Sequence, residues 1–222
     1  GILGAAKIAV KFCHAAGLLE GCTVAAVASK SRERAADFAT ECHVAASYGN
    51  YEEMLQKEKP DCVYIATTTD AHYRLAMLCL DYRTPVLCEK AMFMNQKQAE
   101  TVFNRARQQG VFVMEAMWSR FLPAITKAKE WLLQGRIGRA VYGENSIGFM
   151  AKKDPENRFY NPGLGGGAAY DITVYAYEIM TFLLGGHVEE TQVCSVMADT
   201  GVDLSDHVTL RYKDKIVSLN TS

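Results

Sequence analysis

The sequence predicts an α/β protein: a doubly wound parallel sheet in its first half, then an α+β domain with a mostly antiparallel sheet. Three observations predict this. As far as about Trp118, short apolar runs alternate with helical patterns, the rhythm of strands joined by helical crossovers. Those runs do not alternate polar with apolar residues, so both of their faces are expected to be covered. Beyond Gly186, three strand patterns follow one another across short turns, which is antiparallel spacing.

The elements follow in order. Residues 1–3 end a strand, and 8–19 read as a helix. Residues 24–29 (VAAVAS) form a second strand, and 31–40 a helix with Ser31 as its N-cap. A short helix spans 51–57, a strand 62–67 (CVYIAT), a helix 71–81 and a short strand 85–88. The helix at 95–109 stops at Gly110, and 111–115 is a further strand. The pattern changes after Trp118, so the domains are expected at 1–118 and 119–222. A helix at 123–133 starts on Pro123, whose missing amide proton is no loss in a first turn. A strand at 141–150 and a loop at 154–167 come next. A helix at 171–184 is stopped by Gly185 and Gly186, and strands follow at 189–197, 207–212 and 216–220. The first strand is short, the last runs to Ser222, and no Met opens the chain. A fragment trimmed at both ends is the expectation, with the second domain incomplete at its C-terminus.

Composition narrows the function. Of 222 residues, 49% are hydrophobic and 22% charged, enough apolar surface to offset ordering entropy and exclude a disordered chain. Lys and Arg number 24 against 25 Asp and Glu, and the basic residues form no run. Such a field does not attract a phosphate backbone, so no nucleic-acid partner is expected. No stretch approaches the ~20 apolar residues that span a bilayer, so no membrane partner is expected either. The seven cysteines include no C-x-x-C pair, and several lie in apolar runs, as Cys62 does. Buried free thiols in a reducing, cytoplasmic compartment are the expectation. The five histidines show no metal-ligand spacing, so no metal is expected.

The run Gly4-Ala-Ala-Lys-Ile-Ala9 joins the first strand to the first helix. It matches the Rossmann G-x-G-x-x-G/A fingerprint at the first and third positions, with Ala6 at the second. The first glycine permits the tight turn, and a pyrophosphate rests on the helix N-terminus. Gly4, Ala6, Lys7 and Ile8 are therefore candidate cofactor residues; a small-residue turn is the plain alternative. About 20 residues further on, an NAD site carries an acid on the ribose 2′-hydroxyl. Here the run is Ser29-Lys-Ser-Arg32, with Arg34 beyond. An acid would repel a 2′-phosphate, whereas hydroxyls and cations hold one. Ser29, Lys30, Ser31 and Arg34 thus favour NADP(H) over NAD(H); a solvated charged turn is the alternative.

Three further segments stand out: Ala66-Thr-Thr-Thr-Asp-Ala-His72, Cys88-Glu-Lys90 and Gly165-Gly-Gly-Ala-Ala-Tyr-Asp171. With the opening Gly-Ile-Leu-Gly4, their order resembles the glucose-fructose oxidoreductase/inositol dehydrogenase (Gfo/Idh/MocA) family over essentially the whole chain. Met114-Glu-Ala-Met-Trp-Ser-Arg-Phe-Leu-Pro123 and Tyr175 look most like its dihydrodiol dehydrogenase and NADP-dependent xylose dehydrogenase branch. The resemblance implies a Rossmann dinucleotide-binding domain followed by a substrate and dimerisation domain. It implies hydride transfer between nicotinamide and a sugar, polyol or cyclic diol, and pairing of two copies. The family's active-site lysine falls on Lys90, and the branch's tyrosine acid/base on Tyr175. Asp171 joins them as a catalytic candidate, one turn before Tyr175 on the expected helix.

The chemistry agrees. Hydride transfer to a carbonyl needs a proton donor at oxygen, and oxidation the reverse. A phenol is a poor base at neutral pH, and a nearby ammonium group stabilises phenolate. Lys90 follows a buried strand and should emerge at the carboxyl edge of the sheet, where such folds bind ligands. Thr67, His72, Glu89 and Lys90 are candidate cofactor residues there, and Trp118 and Arg120 candidate substrate residues. Each has a plainer alternative: a surface lysine at Lys90, a core tyrosine at Tyr175 and a helix cap at Asp171. His72 reads equally as packing near its turn, and Trp118 and Arg120 as core packing and an ion pair. The sequence departs from the family pattern at Ala6, at Thr68 in place of a proline, and at Ala91 in place of the proline after Lys90. These departures motivate a rival reading, a weak or inactive NADP(H)-binding sensor of the same fold.

Overall fold

The computed structural model describes residues 1–222, which form two units, Gly1–Ala116 and Met117–Ser222. Six strands build the first unit: β1 (Ile2–Leu3), β2 (Ala26–Ala28), β3 (Ala46–Tyr48), β4 (Val63–Ile65), β5 (Val86–Cys88) and β6 (Val113–Glu115). All neighbours are parallel and the order is β3-β2-β1-β4-β5-β6. The order reverses direction at β1 and β4, so the loops after those strands open a crevice at the carboxyl edge. The helices are α1 (Lys7–Gly17), α2 (Arg32–Glu41), α3 (Tyr51–Glu58), α4 (Thr69–Asp81) and α5 (Gln96–Gln109).

Alternation along the strands divides the core in two. Ile2, Val27 and Tyr64 pack with Ala9 and Cys13 of α1 and Phe38 of α2. Leu3, Ala28, Ile65 and Cys88 face the other way, against Leu55, Leu75, Leu80 and Val102 of α3, α4 and α5. Leu75 and Leu80 are fully buried, and truncating such a leucine to alanine costs about 2–5 kcal/mol. The helix signals act as the sequence implies. Ser31 Oγ accepts from the Arg34 amide at 3.2 Å, and Gly110 closes α5 at a φ of 64°. Strand β3 carries no apolar run: its three residues are half-buried at the sheet edge.

The second unit holds α6 (Pro123–Leu133), β7 (Tyr142–Ile147), α7 (Val174–Leu184), β8 (Glu190–Met197), β9 (Asp203–Arg211) and β10 (Ile216–Thr221). The sheet order is β7-β10-β9-β8; β10 is parallel to β7, and the other pairs are antiparallel. Met180 of α7 packs on Leu210, Val217 and Leu219, while β8 is exposed along its whole length. No helix is long and apolar enough to cross a membrane.

Two expectations need correction. The helix expected at 171–184 is two pieces, a π turn at Ala169–Thr173 and then α7. Asp171 lies in that wider turn, and its carboxylate meets Arg158 at 3.4 Å. The one-turn spacing to Tyr175 is therefore not that of an α-helix. The cysteines are free, but Cys22, Cys62 and Cys194 are exposed. Cys62 lies outside because β4 begins only at Val63. Burial, with Cys42 as a hydrogen-bonding neighbour, pushes the Cys13 thiol up to about 12.

Candidate functional site

In the first unit the candidate residues gather on loops at the carboxyl edge of the sheet. Gly4, just past β1, has a φ of 114°, which a side chain rarely adopts. A Cβ there would overlap the Ala66 carbonyl oxygen and lie 2.9 Å from Thr67 Cγ2. The Gly4 amide donates to the Ala28 carbonyl at 2.8 Å, which ties this turn to the end of β2. Helix α1 starts at Ala6 with no side-chain cap, so no side chain covers its first amides. Lys7 and Ile8 stand exposed in that first turn. A bare helix N-terminus behind a close-packed glycine turn fits the pyrophosphate of a dinucleotide.

At the end of β2, the side chains divide by role. Ser29 is buried, and its Oγ accepts from the Ser31 amide at 3.3 Å. Ser31 caps α2, so both hydroxyls serve the local turn. Lys30 and Arg34 are exposed.

The loops after β4 and β5 are joined by His72. The imidazole is 1% exposed, with Nδ1 3.1 Å from the Ala91 carbonyl and Nε2 3.1 Å from the Thr67 carbonyl. Both ring nitrogens face main-chain carbonyls, and a neutral ring donates to one of the two. Burial lowers its pKa, and the carbonyls of Thr67, Ala91 and Met92 and the Glu89 charge oppose that shift. The Thr68 φ of −76° is one a proline ring would hold. Glu89 is buried; it accepts from the Tyr64 hydroxyl at 2.5 Å and from the Lys90 amide at 3.2 Å. The Lys90–Ala91 peptide is cis. Glu115 fixes the same loop by accepting from the Met92 amide at 2.9 Å.

In the second unit a 3₁₀ turn at Trp118–Phe121 packs on one face of α7. Trp118 Nε1 donates to the Tyr175 hydroxyl at 2.8 Å. One turn on, Glu178 takes Arg120 Nε at 2.6 Å and Ser119 Oγ at 3.1 Å, and Arg120 lies over the Phe182 ring. Tyr175, Glu178 and Phe182 are spaced i, i+3 and i+7, which puts them on one stripe of the helix. Arg120 is thus held in an ion pair with a buried carboxylate, and Trp118 is hydrogen-bonded to Tyr175.

Sequence reasoning missed Glu178, Tyr64 and Glu115. Glu178 carried a signal, as the lone charge in the apolar run VYAYEIMTFLL. The partners of Tyr64 and Glu115 lie 25 and 23 residues away, and no local pattern marks such pairs.

Two family models cover most of the chain. Residues 1–117 match the oxidoreductase family with an NAD-binding Rossmann fold, and 125–222 match the GFO/IDH/MocA C-terminal domain. A zebrafish (Danio rerio) protein named trans-1,2-dihydrobenzene-1,2-diol dehydrogenase is 34% identical over 96% of this chain and 64% of its own length. Its mouse (Mus musculus) namesake is 35% identical over 85% of this chain and 56% of its own length. The chain thus spans somewhat less than two thirds of these relatives. The fold is shared with an aldose-aldose oxidoreductase from Caulobacter crescentus, at a TM-score of 0.91 and 20% identity, covering 100% of this chain and 69% of that one.

Proposed function

The chain belongs to the Gfo/Idh/MocA oxidoreductase family, and from that premise we propose that it is a nicotinamide-dependent dehydrogenase or reductase. Its substrate is a CH–OH group, or the matching carbonyl, of a sugar, polyol or cyclic diol. The observation that carries this reading is the Gly4 turn, which packs closely on Ala66 and leads into the uncapped N-terminus of α1. The names of the diol dehydrogenase relatives support a cyclic diol within that substrate class.

Gly4, Ala6, Lys7 and Ile8 would hold the pyrophosphate. Lys30 and Arg34, the exposed cations beyond β2, support a preference for NADP(H), because they complement a 2′-phosphate. Thr67, Glu89 and Lys90, with His72 behind them, shape the loops after β4 and β5. When bound, the dinucleotide supplies hydride donation and acceptance at its nicotinamide ring. Tyr175 takes the hydroxyl proton when an alcohol is oxidised and returns it when a carbonyl is reduced. Lys90 contributes positive charge that favours oxyanion forms. Two copies pair through the second unit's sheet, consistent with an exposed β8, and sedimentation of the intact protein reads that state directly.

The test is NADPH and NADH titration of the intact protein, followed by turnover across sugars, polyols and cyclic diols. Tyr175→Phe is expected to keep NADPH affinity and lose ~10²–10⁴-fold in kcat, the usual span of general acid–base catalysis. Lys90→Met also lowers kcat, and the double variant loses less than the product of the two. Tight NADPH binding without turnover of any substrate identifies a sensor instead of an enzyme. Near-normal kcat in Tyr175→Phe removes the tyrosine from the reaction.

A further inference from the structure

Strand β9 carries two carboxylates, Asp203 and Asp206. In a regular strand, residues three apart point to opposite faces. This strand is irregular there. Ser205 pairs with Val196 and Asp203 with Met197 on β8, which leaves Leu204 as an extra residue. A bulge of this kind re-aims a side chain. Asp203 accordingly comes to the side of Asp206, close enough for the two charges to interact, and Leu204 is exposed.

The pair holds both ends of the π turn. Asp203 Oδ2 accepts from the Ala169 amide at 2.5 Å, and Oδ1 lies where any Cβ on Gly167 would sit. Asp206 is buried; its Oδ1 accepts from Ser195 Oγ at 2.6 Å and its Oδ2 from Thr173 Oγ1 at 2.9 Å. Thr173 Oγ1 also lies 2.7 Å from Thr221 Oγ1 of β10. Ala169 and Thr173 are the first and last residues of the turn, and Tyr175 follows two residues later. A π turn is rare and must be held by its surroundings. Here the bulge, the carboxyl pair and the bare Gly167 do the holding.

We propose that Asp203 and Asp206 are positioning residues, which through the bulge in β9 fix the π turn Ala169–Thr173 and so the place of Tyr175. The inference rests on the reading that Tyr175 moves the proton. Burial, with the neighbouring Asp206 charge, raises the Asp203 carboxyl above its usual range.

Thr173→Val removes the hydroxyl with little change of shape, and Thr173→Ser keeps it. In the intact protein without dinucleotide, Thr173→Val is expected to speed hydrogen exchange of amides 169–175 by about tenfold or more, the value of a bond to a charged acceptor. Its kcat is expected to fall by about tenfold or more, since small misplacements cost that much, while the KM for the dinucleotide stays unchanged. Asp206→Asn repeats both effects, and Thr173→Ser restores wild-type values. If Asp206→Asn does not fold, the Thr173 pair decides alone. Unchanged exchange in Thr173→Val overturns the proposal. Faster exchange with unchanged kcat also overturns it, provided that Tyr175→Phe is inactive. If Tyr175→Phe is itself active, the proton-transfer reading has failed, and the positioning role falls with it.

Discussion

The Trp118 indole and the Tyr175 hydroxyl are joined by a 2.8 Å hydrogen bond, with the rings edge to face at 6.1 Å. The bond crosses from the 3₁₀ turn to α7 and fixes one lone-pair direction of the phenolic oxygen. Trp118→Phe keeps an aromatic edge and removes the donor. The expected result is a kcat lower by about 3- to 10-fold, the worth of one neutral hydrogen bond. Thermal stability should barely change, because the indole is 55% exposed. Initial rates and a melting curve check both halves.

Cofactor choice is expected to rest on charge beyond β2. Both serine hydroxyls there serve the local turn, so Lys30 is the candidate that a substitution can isolate. Lys30→Asp should weaken NADPH binding about 10- to 100-fold more than NADH binding, as a charge-assisted contact contributes about 1.5–3 kcal/mol. Paired fluorescence titrations read the ratio. Equal losses for both dinucleotides show that Lys30 does not meet the 2′-phosphate.

Gly4→Ala tests the turn itself. The added methyl meets the Ala66 carbonyl, and the φ of 114° is strained for alanine. A strained backbone position costs about 1–3 kcal/mol, so urea unfolding should shift to a lower midpoint. Any folded fraction should bind dinucleotide at least ~10-fold more weakly, because the turn and the α1 amides move together.

His72 gives a pH dependence with a definite sign. Burial lowers its folded-state pKa below the ordinary 6.5, so the unfolded chain binds this proton more readily. The stability from the neutral ring is present above the unfolded value and is lost as pH falls through the lowered folded one. Urea midpoints measured from about pH 7.5 down to about pH 5 should fall more steeply for wild type than for His72→Gln. Parallel curves for the two proteins would falsify the assignment.

Strands β1, β2 and β4 were legible because they are covered on both faces and therefore apolar throughout. Ser31, Gly110 and Pro123 marked helix ends through chemistry that acts within a few residues. Strand β3 escaped because an edge strand of three half-buried residues needs no apolar run. The π turn escaped because its cause is remote: Asp203 lies 34 residues from the amide it binds. Lys90 and Tyr175 were found through motifs. Glu178, Asp203 and Asp206 act through partners that only folding brings near.

The parallel pairing of β10 with β7 has a kinetic consequence. Strand β10 sits between β7 and β9, and Asn220 reaches Glu144 across 76 residues. Until β10 arrives, β7 has no partner in that sheet, and β8 and β9 are a hairpin with one edge open. Closing so long a loop is slow, because its entropy is lost before the ladder forms. During synthesis on the ribosome, α7 therefore waits for Val217 and Leu219 to complete the cover of its apolar stripe. The β7–β10 ladder should therefore form late, which leaves the edges it covers open to chaperones and aggregation until then.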